Sequence, residues 1–193
     1  MSEKAASRKE NIIQITEKMF RETGYNGTSM RDIAAEVGIE APSIYSHFKG
    51  KEELLQIICF RMAERFIQAI EEVNDIYFNA EEKLRMALQA HINILTNDLN
   101  ASHVFQHEWK HLKEPYLSEF RQLRNKYENG FRQIILDGEN ENLFAESDKQ
   151  FAVLTILSSA NWITDWYRSE GKLQPNEIAD KIARFILSGL KKK

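Results

Sequence analysis

The chain reads as an all-α protein of about nine helices, a three-helix N-terminal head carrying a helix-turn-helix and a longer C-terminal helical bundle. Three observations predict this. Apolar residues recur at spacings of three and four along most of the length, as in Leu54, Leu55, Ile58, Met62, Phe66, Ile70 and Val73. The three prolines, Pro42, Pro115 and Pro175, each fall where a helix would start, a position that needs no N–H. Glycines such as Gly24, Gly38 and Gly171 close the periodic runs, because glycine takes a positive φ cheaply just past a helix end.

Taken in order, Arg8 to Tyr25 places Ile12, Ile13, Ile15, Thr16, Met19 and Phe20 at helical spacing, with Gly24-Tyr25 closing the helix. Thr28 or Ser29 can cap the next helix, and Asp32 adds a favourable charge in its first turn. Ile33, Ala34 and Val37 form its apolar stripe, small Ala34 and Ala35 admit a close neighbour, and Gly38 ends it. Ile39 plugs the corner. Pro42 then opens a short second helix, on which Ile44 and Phe48 face inward while Ser43, Tyr45, Ser46 and His47 face outward. Lys51 to about Asp75 makes about 36 Å of continuous helix. Further helices are expected near 80–99, 101–113, 115–138, 147–170 and 175–191, with Gly138 and Asn140-Glu141-Asn142 marking a loop.

Several of these elements together carry a resemblance. Gly27-Thr28-Ser29-Met30-Arg31-Asp32-Ile33-Ala34, Val37-Gly38, Ile44-Tyr45-Ser46-His47-Phe48 and Lys51-Glu52-Glu53-Leu54 resemble the N-terminal signature of the TetR/AcrR family of one-component transcriptional regulators. Arg8 to Tyr25 is similar to that family's first helix. The specific likeness covers about a quarter of the chain; the rest is similar in being helical and of the usual length. Glu40 and Pro42 depart from the family pattern, which commonly has Ser or Thr at the first and often Gly at the second. Glu40 caps poorly and brings a negative charge near phosphates, so an unusual operator is expected.

The resemblance implies a DNA-binding domain over residues 1–50 and an effector-binding and dimerisation domain over 51–193. Geometry and resemblance together assign Tyr45 and Lys51 to phosphates, with Thr28, Ser29 and Arg31 as further contacts at the head of the first reading helix. Ser43, Ser46, Ala41 and Pro42 lie nearest the base edges, and His47 can do either job. The charge is modest for such a partner. Net charge is −3 overall, and residues 1–51 hold eight Lys/Arg against seven Asp/Glu. Binding is therefore expected from a few placed contacts in a dimer, not from a bulk basic field.

In the body, two C-terminal bands have the composition of a dimer interface. Ile156, Ala160, Ile163 and Tyr167 line one, and Ala179, Ile182, Ala183, Ile186 and Leu190 the other. The family resemblance implies that two such helices pair with their symmetry mates, giving a homodimer and a near-palindromic operator. An effector pocket is expected from Ile92, Phe105, His107, Trp109, Tyr127, Phe131, Asn161, Trp162 and Asp165, an apolar set with interspersed polar anchors. The run Asn161 to Leu173 resembles a family branch that regulates fatty-acid and sterol breakdown, which implies an acyl or acyl-CoA-like effector. A second reading stays open: His103, His107 and His111 recur every fourth residue beside Glu108, so a continuous helix would align three imidazoles for a metal, with His91 able to complete the set.

The expected function is thus a ligand-responsive repressor, with a metal-responsive regulator or metal-binding enzyme as the alternative. Enzyme motifs are lacking: there is no His-Glu-x-x-His, glycine-rich phosphate loop or nucleophile elbow. No cofactor and no membrane partner are expected. The longest apolar run, Phe151 to Ile163, is interrupted by Thr155, Ser158, Ser159 and Asn161. A polar N-terminus and a single cysteine, Cys59, suit the reducing cytoplasm.

Overall fold

The computed structural model describes residues 3–192. Among them, ten α-helical segments and one 3-10 turn follow in order: α1 (Glu3–Gly27), α2 (Met30–Val37), α3 (Ala41–Ile44), α4 (Lys51–Asp75), α5 (Ala80–Asn97), α6 (Leu99–His107), the 3-10 turn (Trp109–His111), α7 (Tyr116–Asn140), α8 (Lys149–Asn161), α9 (Ile163–Trp166) and α10 (Pro175–Leu190). Two compact units result. The first combines Met1–Ala63 with Leu99–Arg121, and the second Glu64–Asp98 with Gln122–Lys193. Helices α4 and α7 contribute residues to both.

In the first unit α1 packs against α6 and α2, and α2 against α3. The α1 run loses helical geometry at Gly24, whose φ of +76° is open to glycine at little cost. Ser29 and Asp32 form a reciprocal capping box at the start of α2: Ser29 Oγ accepts from Asp32 N at 3.2 Å, and Asp32 Oδ2 accepts from Ser29 N at 2.9 Å. Gly38, at φ +74°, ends α2 as expected, and the N–H groups of Gly38 and Ile39 return to Ala35 O and Ala34 O. Glu40 stands at the N-cap of α3 without a side-chain cap bond, and Pro42 lies in its first turn. Ile33, Ala34, Ile44 and Phe48 are buried between these helices.

In the second unit α5 packs on α10, α8 and α9. Its buried face carries Leu84, Leu88, His91, Ile92 and Leu95. Burying each such aliphatic side chain contributes about 1.5–3 kcal/mol. Two glycines permit close approach: a Cβ on Gly130 would meet Ile70 of α4, and one on Gly138 would enter the Phe144 ring. Phe144 also pairs with Lys191 in an isolated antiparallel bridge, where Ala145 N donates to Leu190 O at 2.8 Å.

Two expected helices are shorter than the periodicity implied. The segment expected over 101–113 is α6, ending at His107, followed by a separate 3-10 turn and extended Leu112. The segment expected over 147–170 is α8 and then the four-residue α9, ending at extended Tyr167.

Candidate nucleic-acid interface and the polar core of the body

The residues expected to read DNA divide by exposure. Ser29, Arg31, Pro42, Ser43, Tyr45 and Ser46 are exposed, Tyr45 by 54 %, while Ala41 and His47 are half-buried. α3 itself is one turn long. Residues 45–47 continue it as turns, with Ser46 N bonded to Ser43 O and Phe48 N to Ile44 O. Ser29 Oγ is committed to its capping bond. The polar outer surface of Ser43, Tyr45 and Ser46 is thus mounted on a packed apolar floor.

Thr28 and Lys51 stand elsewhere than their expected roles require. Thr28 is 2 % exposed, and its hydroxyl donates to Gly24 O at 2.9 Å beside Thr23 Oγ1 at 2.8 Å. It cannot reach a phosphate without leaving that bond. Lys51 Nζ donates to Tyr25 O at 2.8 Å and Thr28 O at 3.0 Å and lies 4.2 Å from the Tyr25 ring centroid. Two of its three N–H groups therefore tie the first helix of the head to the start of α4. Tyr25 is itself buried, and its phenol pKa is raised by that burial and then by the charge of Glu52.

The histidine face expected for a metal does not form. α6 ends at His107, and His111 turns away to stack on Tyr25, with ring centroids 5.1 Å apart and planes 15° apart. Its Nε2 lies 3.4 Å from Glu108 Oε2. His103 and His107 remain near each other, with ring centroids 4.4 Å apart. Among the described residues no group of three His, Cys, Asp or Glu side chains is arranged to hold a metal ion.

The residues expected to line an effector pocket fall into separate groups. In the first unit, Phe105 and Trp109 pack on Phe120 at 5.5 and 5.7 Å between centroids, and His107 is exposed. In the second unit, Tyr127 stands beside Phe131 at 5.4 Å, and Ile92 is fully buried. Trp162 and Asp165 face outward. Asn161 and Tyr127 do converge, on a residue that sequence reasoning did not place in the pocket. His91 Nδ1 accepts from the Tyr127 hydroxyl at 2.7 Å, and His91 Nε2 donates to Asn161 Oδ1 at 3.0 Å. Phe66 covers the imidazole at 4.9 Å. Desolvation pushes the His91 pKa down to about 4 against a smaller opposing effect of the Asn161 bond, and burial raises Tyr127 well above its ordinary value. The trio is neutral near pH 7. Its signal was present in the sequence: His91 sits on the same helical face as Leu84, Leu88 and Leu95.

The bands expected at a dimer interface point the other way. Ile156, Ala160, Ile163, Ala179, Ala183 and Ile186 are buried within their own unit, and Tyr167, Ile182 and Leu190 are half-buried. The outward faces of the same helices are apolar too. Phe151 is 70 % exposed and Trp162 65 %, with Leu154 between them on α8, and Phe185 on α10 is 80 % exposed. Phe151, Thr155, Ile156, Phe185, Ile186 and Gly189 line a groove of about 290 Å³ between α8 and α10, with Ser147 and Asp148 also on its wall.

No helix among the described residues is long and apolar enough to cross a membrane. The sequence profile of bacterial regulatory proteins of the tetR family matches residues 12–58, and that of the tetracyclin repressor-like C-terminal domain matches residues 78–190. The chain is similar to the HTH-type transcriptional repressor KstR2 of Mycolicibacterium smegmatis, 24 % identical over 96 % of this chain and 91 % of that one. Its fold is similar to that of PfmR, a TetR-family regulator from Thermus thermophilus, with a TM-score of 0.85 and 28 % identity over 94 % of this chain and 99 % of the other. It is also similar in fold to AibR, solved in complex with isovaleryl coenzyme A and operator DNA, with a TM-score of 0.82 and 24 % identity over 92 % and 97 % of the two chains.

Proposed function

The chain belongs to the TetR family of bacterial regulatory proteins, and from that premise we propose that it is a ligand-responsive transcriptional repressor that binds a near-palindromic operator as a homodimer. The observation that carries the reading is the outward face of the head. Arg31, Pro42, Ser43, Tyr45 and Ser46 are exposed over a buried floor of Ile33, Ala34, Ile44 and Phe48. Arg31 and Tyr45 serve phosphates; Pro42 and Ser43 approach base edges, where a hydroxyl can bond to several bases and an apolar group can touch the thymine methyl, and Ser46, whose hydroxyl donates to Ser43 O at 2.7 Å, can accept there from a base amine. Lys51 acts through the main chain, holding the carbonyls of Tyr25 and Thr28.

A second copy covers the groove between α8 and α10. α8 carries apolar side chains both inward, at Val153, Ile156 and Ala160, and outward, at Phe151 and Leu154, and clustered exposed apolar side chains mark a surface that meets a partner. A two-fold axis along this face would seat Phe151 and Phe185 of each copy against the other, leaving two heads to read two half-sites.

The effector is a small apolar molecule, with an acyl or acyl-CoA-like compound the first class to test. AibR, the neighbour solved with isovaleryl coenzyme A, supports that choice, and His91, Tyr127 and Asn161 supply polar groups within an apolar interior. Release follows if the effector binds better to a conformation whose heads are misplaced on DNA. A coupling of about 1–3 kcal/mol would lower operator affinity by roughly 5–150-fold. KstR2, to which this chain is similar, is a transcriptional repressor, and in keeping with that we assign this chain no catalytic role and a cytoplasmic site of action. The metal-dependent alternative is not favoured, since His111 is stacked on Tyr25 and does not extend the His103 and His107 face.

The test is selection of duplexes from a random pool by the purified dimer, followed by titration of the selected duplex with short-chain acyl-CoA. Enrichment of a two-fold-related site and its release by acyl-CoA support the proposal. Binding at physiological salt with no sequence enriched would contradict the regulator reading; enrichment without release would overturn the effector class alone.

A further inference from the structure

We propose that Glu108 is a positioning residue for DNA reading: from the 99–121 segment it grips the main chain of Tyr25 and so sets where the helix-turn-helix begins. The inference rests on the reading of the head as a DNA-binding module. The backbone leaves helical geometry at Gly24, and one residue later Tyr25 N donates to Glu108 Oε2 at 3.2 Å. That carboxylate side chain is only 15 % exposed. The same oxygen lies 3.4 Å from His111 Nε2, and the His111 ring stacks on Tyr25, so one side chain supports the grip from two directions.

What Glu108 holds is short and stiff. Lys51 takes Tyr25 O and Thr28 O, and the Thr28 hydroxyl takes Gly24 O. Ser29, the next residue, is the N-cap of α2. A displacement at Tyr25 is therefore carried to the start of α2 with little slack. The other end of the grip is tethered by the chain itself. The 99–121 segment follows α5 in the chain and includes the start of α7, as far as Arg121.

Three measurements on the full-length homodimer test this. In the wild type, the Tyr25 amide should exchange with solvent more slowly than those of the exposed turn residues Tyr45 and Ser46, and an unprotected Tyr25 amide would overturn the proposal without any variant. Glu108→Ala should lower affinity for the duplex selected by the wild type by about tenfold, while Glu108→Gln, whose amide oxygen can still accept, stays within about threefold. With a spin label on Ser46→Cys in each head, Glu108→Ala should also broaden the head-to-head distance distribution. Equal losses in the two variants, or an unchanged distribution in Glu108→Ala, would reject a positioning role. If the wild type selects no duplex, the DNA reading itself fails, while the exchange and distance measurements still decide whether Glu108 holds the head.

Discussion

The two units spend their polar groups differently. In the first, side chains bind main chain: Thr28 to Gly24, Lys51 to Tyr25 and Thr28, Glu108 to Tyr25. Polar hydroxyls such as Ser43 and Tyr45 are left at the surface. In the second, a polar cluster is buried and joins side chains, His91 to Tyr127 and Asn161, while the surface of α8 and α10 exposes the large apolar side chains Phe151, Leu154 and Phe185. The contrast follows from what each must meet. A surface that meets DNA needs fixed backbone and exposed donors, whereas a surface that meets a second copy of itself needs exposed apolar area, and an interior polar cluster needs complete pairing.

The sharpest way to break that contrast is to put a charge on the apolar surface. Phe185→Asp should raise the dimer dissociation constant by about two orders of magnitude or more, because the substitution enters an isologous interface twice. Sedimentation equilibrium checks it, and a dimer of wild-type stability would remove the α10 face from the interface.

The buried cluster of the second unit predicts a dependence on acid. His91 has a folded pKa lowered to about 4 from 6.5, so below 6.5 the unfolded chain takes up a proton that the folded chain refuses. Its contribution is intact above 6.5 and is lost as pH falls toward 4, by up to about 3 kcal/mol. Denaturant unfolding at stepped pH should show that decline in the wild type and a flatter profile in His91→Gln. Gly138→Ala should cost about 1–3 kcal/mol at any pH, since the added methyl enters the Phe144 ring; the same unfolding assay reads it.

The smallest expected effect sharpens the contrast from the side of the head. If Lys51 holds main chain, Lys51→Ala should weaken binding to all duplexes alike but change the salt slope by less than about half a unit, where loss of a phosphate contact would change it by about one. Binding isotherms at several salt concentrations separate the two roles.

Much of the molecule was legible as sequence where one physical rule acted alone. Gly38 stops α2, Pro175 starts α10, and the spacing from Leu54 to Val73 delimits α4 at Lys51–Asp75. Reading failed where a rule had no directional content. α8 is apolar on both faces, so periodicity could not tell Ile156, which is buried, from Phe151, which is exposed. Equal spacing of His103, His107 and His111 could not reveal that the helix ends at His107. Lys51 was legible as a cation but not as one that folds back 26 residues to Tyr25, and the grouping of Leu99–Arg121 with the head depends on contacts distant in the chain.

Two heads reading one duplex are tested most directly by hydroxyl-radical footprinting of the selected duplex. Two protected patches are expected on one face of the DNA, about one helical turn or a multiple of it apart and related by a two-fold axis. A single patch, or protection that is continuous and independent of sequence, would contradict that arrangement.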